Sequence, residues 1–198
     1  MIYRVFISVL ILFLNIQSWT KADSIKDLDI EGIEIGKKLT NYFNKDEILK
    51  NSHFDLYGSG NNKFVSFFTH EPVNLKSYEQ YDYLRVTYLN NGSFLIHSVT
   101  GMKDYAKSDM DECYKLQKSI ESEFDNQFSN LVKEKDTFPS RYDETGESKV
   151  TGVYYYTDDG YAEISCYDFA KHIKIISGID VSISTEELGD WLGNLRKN

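Results

Sequence analysis

The two cysteines have the strongest claim to chemistry in this sequence. Cys166 lies in the stretch GYAEISCYD, among tyrosines and acids, and Cys113 lies in SDMDECYKLQ. Such a cysteine can be a nucleophile, a metal ligand or half of a disulfide. A nucleophile needs a neighbouring base, and none of the four histidines stands in a recognisable signature with Cys166. Zinc sites need Cys or His residues at close spacing, and the sequence has no such pair.

The positions of the cysteines in their elements favour a disulfide. In a strand over 161–167, alternation places Cys166 on the same side as Ala162 and Ile164. Cys113 falls on the apolar stripe of a helix predicted over 108–133. Two inward-facing cysteines, in a chain whose first residues predict export, therefore predict one disulfide between helix and sheet. Closing a loop of about 54 residues contributes roughly 4 kcal/mol to stability.

The other side of the same strand is a candidate binding face. It carries Tyr161, Glu163 and Tyr167, and the preceding strand adds Tyr154 and Tyr156. An exposed aromatic sheet face suits a peptide, a glycan or a partner protein. The alternative is a second layer that covers these tyrosines, with the C-terminal helix as the cover.

Acidic residues near this strand allow two interpretations. Asp158, Asp159 and Glu163 could act as paired carboxylates or as calcium ligands. The dipeptide Asp159–Gly160 is, however, what a tight hairpin turn requires, and the EF-hand spacing is missing. A P-loop and a Gly-x-Ser-x-Gly elbow are also missing. The sequence therefore predicts no catalytic residue, no metal site and no cofactor.

The first residues are typical of an export signal. Arg4 precedes an apolar run over 5–16, which is too short to cross a bilayer, and Thr20 and Ala22 fit the small-residue rule for cleavage. We expect a signal peptide over 1–22, a single domain over 23–198, and a periplasmic or secreted location. The alternative is that the N-terminal segment is retained as a membrane anchor.

The composition is acidic and rich in tyrosine. The chain carries 31 Asp+Glu against 22 Lys+Arg, a net charge of −9, and 15 Tyr. Such a chain repels nucleic acid and anionic membrane surfaces. The excess of tyrosine requires either a core or a binding face.

Periodicity predicts the elements that position these residues. Helices are expected over 37–43 and 44–51, the latter with Asn44 as N-cap and Glu47 completing a capping box. A first hairpin with its turn at 91–92 would pair Thr87 with Ile96. The long helix over 108–133 is followed by a loop over 134–148.

The second half of the sequence again predicts strands followed by a helix. A second hairpin over 150–168 precedes a short strand over 179–184. A C-terminal helix follows, with Ser184 as N-cap and Glu187 completing its capping box. The predicted fold class is α+β: a mostly antiparallel sheet of two hairpins plus short strands, packed on one long central helix, with short N- and C-terminal helices.

Three segments resemble one protein family. They are IEGIEIGKKLTNYF near the start, the helix segment ending in Glu112–Cys113, and the hairpin DDGYAEISCYD. Together they resemble an uncharacterised family of exported proteins from marine alphaproteobacteria. The resemblance implies an exported domain that retains both cysteines, and it implies no activity.

Three hypotheses for function follow from the sequence. The first is a non-catalytic binding or interaction domain of the cell envelope, whose partner is a protein, a peptide or an envelope glycan and not nucleic acid. The second is a periplasmic hydrolase whose site forms only in three dimensions. The third is an envelope protein held by an uncleaved N-terminal segment, which is the one case with a membrane contact.

Overall fold

A computed structural model describes residues 24–54, 62–69, 78–128 and 131–195. The predicted signal peptide over 1–22 lies outside the described residues. The strands are β1 (Asp29–Ile30), β2 (Ile33–Glu34), β3 (Ser52–His53), β4 (Phe64–Phe68), β5 (Tyr83–Leu89), β6 (Ile96–Tyr105), β7 (Val132–Pro139), β8 (Lys149–Thr157), β9 (Gly160–Asp168) and β10 (Ser177–Thr185). The helices are α1 (Lys45–Lys50), α2 (Met110–Gln127) and α3 (Glu186–Leu195). None of the described helices is long and apolar enough to cross a membrane.

The predicted α+β class is confirmed. Eight antiparallel strands form one sheet in the order β3-β4-β5-β6-β10-β9-β8-β7, and β1 and β2 form a small separate hairpin. Each half of the sheet is a run of four sequential strands. The two runs meet where β6 pairs with β10, so strands far apart in sequence form the centre of the sheet.

The first face of the sheet, defined as the face on which α2 lies, carries the main core. Alternation places one apolar side chain from each central strand in a row across this face, and all of them are fully buried. The row consists of Phe67, Val86, Val99, Ile183 and Ala162. The N-terminal segment covers the rest of this face, because Ile25, Ile30 and Leu39 join the same core.

The predicted disulfide is present and joins α2 to β9. Cys113 and Cys166 are bonded, their Cα atoms lie 6.2 Å apart, and both side chains are fully buried. One turn further along α2, the Gln117 amide donates to the backbone oxygens of Thr151 (2.7 Å) and Ile164 (2.8 Å). The helix is therefore fixed to β8 and β9 by a covalent bond and by two hydrogen bonds.

The end of the long helix and the element after it differ from the prediction. The helix ends at Gln127, not near residue 133, and the predicted loop over 134–148 begins as the edge strand β7. Lys133 and Lys135 of this strand form ion pairs with Glu121 of α2, and Lys133 also pairs with Asp125. The alternation in β7 is one of charges rather than apolar residues, so hydrophobic periodicity did not indicate a strand.

The register of the first hairpin also corrects the prediction. Val86 pairs with Val99 and Thr87 with Ser98, and a bulge follows Thr87, so Ile96 pairs with Tyr88. The turn is longer than two residues because Phe94 as well as Gly92 adopts a positive φ. This register places Val86 and Val99 together on the first face.

The short helices differ in detail from the prediction. The helix expected over 37–43 is a single 3₁₀ turn, Leu39–Asn41. Asn44 caps α1 as predicted, but its side chain accepts from the N–H of Asp46. The N-cap of α3 is Thr185, not Ser184: its hydroxyl accepts from the N–H of Leu188 at 3.3 Å. Ser184 instead forms a hydrogen bond across the sheet to Ser98.

Candidate functional site

The second face of the sheet is covered at one end by α3. Leu188 and Trp191 pack there with Phe64 in a small core of their own. Gly189 lets the helix lie close to β9, because a Cβ at this position would stand only 3.1 Å from the Tyr161 ring. Tyr161 therefore lies beneath α3, and the alternative in which the C-terminal helix covers the tyrosines holds at this position.

The rest of the second face, away from α3, forms a continuous area that we call the polar face. Among the described elements, no helix packs on it. By register its side chains are Tyr83, Arg85, Thr100, Met102, Asp104, Val132, Glu134, Asp136, Phe138, Val150, Tyr154, Tyr156, Glu163, Ser165, Tyr167, Asp180 and Ser182. Four of the five predicted face residues, Tyr154, Tyr156, Glu163 and Tyr167, belong to it.

Small hydroxyl side chains form the floor of the polar face. Thr100, Ser165 and Ser182 lie on three neighbouring strands and are 2%, 0% and 8% exposed. The Ser165 hydroxyl donates to Glu163 at 2.6 Å, and Arg85 donates to Thr100 at 3.4 Å. At the corresponding positions the first face has valine and isoleucine. Because the hydroxyl side chains are short, the longer side chains around them project above them and form walls.

Acidic groups dominate the charge of the polar face. Its carboxylates are Asp104, Glu134, Asp136, Glu163 and Asp180, whereas Arg85 is its one base among the described strand residues. Such an excess of one sign produces a negative potential that attracts cations and repels anions.

Asp180 is the carboxyl group most strongly perturbed by this environment. Burial raises the pKa of Asp180 to about 6; the Arg85 guanidinium opposes the rise, and Glu163 and Asp104 add to it. Arg85 and Asp180 form an ion pair with 3.8 Å between Nη2 and Oδ2. The group therefore changes its charge near neutral pH, which is rare for an aspartate.

The tyrosines form the walls of the polar face. Tyr154 lies across the sheet because residue 152 is glycine: a Cβ there would stand 2.4 Å from its hydroxyl. Tyr167 stacks on Phe169 with ring centroids 6.1 Å apart, and Tyr156 is 41% exposed. Burial raises the pKa of Tyr154, Tyr156 and Tyr167, so all three hydroxyl groups stay neutral at physiological pH.

His97 lies beside α3 and not on the polar face. Its Nδ1 lies 3.0 Å from the Thr185 hydroxyl, and its ring meets Phe64 edge to face. Burial lowers the pKa of His97, although Glu187 acts in the opposite direction. The Nε2 atom is buried without a hydrogen-bond partner in the described structure. These contacts give His97 a structural role, which is to help hold α3 on the sheet.

The acids in the second hairpin turn have a structural role as well. Asp159 accepts hydrogen bonds from the Ser24 hydroxyl (2.7 Å), the Ile25 N–H (3.0 Å) and the Thr157 hydroxyl (2.9 Å). Burial acts to raise the pKa of Asp159, but these bonds and Lys26 hold it below its ordinary value. Asp159 thus fixes the start of the described chain to the β8–β9 turn.

A serine, an aspartate and a histidine meet in the loops at the far end of β8 and β9. Asp143 accepts from the Ser148 hydroxyl (2.6 Å), and His172 lies 3.2 Å from its other oxygen. Ser148 also accepts from the Ala170 N–H, and the Ser148 bonds lower the pKa of Asp143. In a nucleophilic triad histidine contacts the serine. Here aspartate lies between the two, so the cluster fixes the loops together.

Several residues of the polar face were missed by sequence reasoning. Asp104 lies on β6, whose pairing with β10 was not predicted, and Arg85 lies on β5, the next strand out. Glu134 and Asp136 lie in the segment predicted to be a loop. Asp180 could have been found, because the apolar residues at 179, 181 and 183 alternate with it. Alternation does not indicate that β6 lies beside β10, which brings Arg85 of β5 within reach of Asp180.

The described residues contain no group of three or more His, Cys, Asp or Glu side chains placed to hold a metal ion. Comparisons with protein-family models, with characterised proteins and with solved structures found no match to this chain. Its function therefore has to be inferred from the chemistry of the polar face itself.

Proposed function

We propose that this protein is an exported, non-catalytic binding domain of the cell envelope, and that its polar face holds a basic peptide segment of a partner protein. One observation carries the proposal. The part of the second face that α3 leaves uncovered combines tyrosine walls with five carboxylates and one arginine. The uncovered face of an antiparallel sheet is ordinarily polar, and what supports a ligand here is the combination of tyrosine rings with an excess of carboxylates.

Charge complementarity selects the class of ligand. Lysine and arginine side chains are attracted both by carboxylates and by the faces of tyrosine rings. Glu134 accepts a long hydrogen bond, 3.4 Å, from the Tyr156 hydroxyl, which places an acid and an exposed ring side by side. A basic side chain that lies over Tyr156 would therefore contact both groups. Phosphate-bearing partners are disfavoured by the same charges.

Export is supported by two features. The sequence predicts a signal peptide, and the Cys113–Cys166 bond is typical of proteins from oxidising compartments. The disulfide lies on the first face and contributes no group to the polar face. Its proposed role is to hold α2 and the sheet together outside the cytoplasm.

The proposal is tested by measuring the binding of a fluorescently labelled nonapeptide of three Lys-Gly-Phe repeats. We expect saturable binding that weakens with salt, and amide shift changes in NMR spectra that map to β8, β9 and β10. Tyr156→Ala and Glu163→Gln should each weaken binding about fivefold, the range expected for one exposed cation–π or charge contact.

The matched control is Glu112→Gln, an exposed acid on α2 paired with Lys115. This variant removes one negative charge on the other side of the sheet, and its affinity should equal that of the wild type. Equal binding of a Glu-Gly-Phe peptide, or shift changes confined to α2, would refute the proposal. If a neutral chitin oligosaccharide binds more tightly than the Lys-Gly-Phe peptide, the ligand of the polar face is a glycan and not a peptide.

A glycoside hydrolase is the second candidate, favoured by Asp180 and Glu163. These carboxyls lie on adjacent strands, and the raised pKa of Asp180 is what a general acid requires. Against it, Arg85 pairs with Asp180 and Ser165 donates to Glu163. Release of reducing ends from cell-wall glycans, abolished in Asp180→Asn, would establish the hydrolase and exclude a purely binding role.

A further inference from the structure

A cavity of about 630 Å³ lies on the first face, away from the polar face. It opens between the β1–β2 hairpin, the segment 78–81 that leads into β5, and the second half of α2. Its volume is within the range of sites that hold small molecules. Because it lies on the opposite side of the sheet, it is independent of the proposed peptide site.

The walls of the cavity combine an apolar floor with an acidic rim. Ile120, Phe124 and Val181 contribute apolar surface, and Tyr78 and Tyr81 add aromatic rings. The rim acids are Asp27, Asp29, Glu31, Glu79 and Glu123, and no Lys, Arg or His among the described residues lines the cavity. A cavity with this lining favours a ligand that has both an apolar part and a positive charge.

Tyr81 provides a second observation, independent of the acids. Its ring lies directly on Gly101, where a Cβ would stand 2.6 Å from ring atoms, and the residue is 9% exposed. Burial raises the pKa of Tyr81, and the carboxylates of Glu31 and Glu123 raise it further. The hydroxyl of Tyr78, which lines the same cavity, is buried without a hydrogen-bond partner among the described residues, so a polar group of the wall is left for a ligand.

The backbone holds one of these acids in place. Glu31 and Gly32 form the turn between β1 and β2 with φ values of 53° and 77°. An Oε atom of Glu31 accepts from the Gln80 N–H at 3.0 Å, which fixes the carboxylate to the segment that carries Tyr81. The Glu31 carboxylate is therefore positioned at the rim without a ligand.

We propose that this cavity binds a small organic cation, an alkylammonium or polyamine whose carbon chain lies on the apolar floor. The ammonium group would lie between the carboxylates of Glu31 and Glu123 and against the Tyr81 ring, where cation–π attraction adds to charge attraction. An inorganic cation such as Ca²⁺ needs several oxygen ligands converging within about 2.6 Å. No group of three carboxylates in the described chain is close enough for this.

Isothermal titration calorimetry with hexylammonium tests the proposal, with 1-hexanol as the neutral analogue and CaCl₂ as the inorganic cation. We expect hexylammonium to bind and the other two not to bind, with amide shift changes at 78–81 and 120–127. Glu123→Gln and Tyr81→Leu should each weaken binding at least fivefold.

Glu123 is exposed, so Glu123→Gln should fold normally and is the decisive variant. The control is Glu112→Gln, which lies on the same helix outside the cavity and should bind like the wild type. If 1-hexanol binds as tightly as hexylammonium, the cavity binds apolar chains without selecting a positive charge, which contradicts the proposal. Binding of Ca²⁺, or hexylammonium affinity unchanged in Glu123→Gln, would also overturn the proposal.

Discussion

The two faces of the eight-stranded sheet are built by the same alternating strands and have opposite compositions. On β9, Ala162, Ile164 and Cys166 face α2 and are fully buried. The residues between them, Glu163 and Ser165, face the other way and form a hydrogen bond with each other. The composition of one face is explained by packing against α2, and the composition of the other is not.

The difference between the faces indicates where the function of this chain lies. An apolar face is explained by the free energy of burial, about 25 cal/mol per Å². A face with buried hydroxyl groups, a carboxyl of raised pKa and exposed tyrosine gains little of this energy. Its residues are the ones that we propose bind a ligand.

Removal of the disulfide should have the largest effect on stability. We expect the double variant Cys113→Ala/Cys166→Ala to lose about 4 kcal/mol of unfolding free energy, because the unfolded chain regains the freedom of a loop of 53 residues. Urea unfolding followed by circular dichroism measures this loss. Wild-type protein in reductant should match the double variant, and a loss below about 1 kcal/mol would show that packing alone holds α2 on the first face.

Adjacent tyrosines on β8 give a matched comparison of the faces. Tyr155 is 1% exposed on the first face and donates to Asp125 at 2.7 Å, whereas Tyr156 stands exposed on the second. Tyr155→Ala should cost about 3 kcal/mol, and Tyr156→Ala less than about 1 kcal/mol. Thermal and urea unfolding of both variants measure the difference. Equal losses would mean that both faces are packed cores.

Asp180 gives a pH-dependent comparison. Its pKa is raised from 3.8 to about 6, so between these values the folded protein binds more protons than the unfolded chain, and its stability falls as pH rises. Relative to the wild type, Asp180→Asn should gain about 2 kcal/mol more at pH 7.5 than at pH 4. At pH 4 the Asp180 carboxyl of the folded protein is neutral, so the wild type and the variant differ least there.

Ser182→Ala is the control for Asp180→Asn, since it changes a neighbouring side chain of the floor that does not titrate. Its effect on stability should be the same at both pH values. A carbon-detected NMR titration gives an independent value for the Asp180 carboxyl. An ordinary aspartate pKa in that titration would show that the polar face is better solvated than its burial indicates.

The smallest expected effect concerns α3, which divides the second face. The lowered pKa of His97 means that the unfolded chain binds a proton more readily, so the stability of this end falls as pH drops below about 6.5. Hydrogen-exchange protection of the Leu188 and Trp191 amides, corrected for intrinsic rates, should decrease with acidification. In His97→Leu the decrease should be absent; if it persists, another group controls the seating of α3.

Local rules predicted much of the fold and part of the site. Alternation placed Cys166 inward and Tyr167 outward on β9, and helical spacing placed Cys113 on the apolar stripe of α2, so the disulfide followed from geometry. The same rules failed at β7. Its inward residues are Lys133 and Lys135, which pair with acids of α2, and a strand whose inner side is charged has no hydrophobic period to detect.

Local rules did not predict the register of the first hairpin or the presence of the cavity. The register of the first hairpin differs from the predicted one because Phe94 adopts a positive φ and a bulge follows Thr87. Local turn preferences indicate neither feature. The cavity beneath the β1–β2 hairpin depends on Tyr81 lying flat on Gly101, a contact between elements rather than within one.

The sequence by itself determined which side chains share a side of each strand and helix, because backbone geometry fixes those periods at two and 3.6 residues. Only the tertiary structure decided which strands are neighbours. The pairing of β6 with both β5 and β10 brings Arg85 to Asp180, and the pairing of β10 with β9 brings Asp180 beside Glu163. The physical reason is that strand order depends on long-range burial, the free energy of which is shared among many residues and is recorded in no single segment.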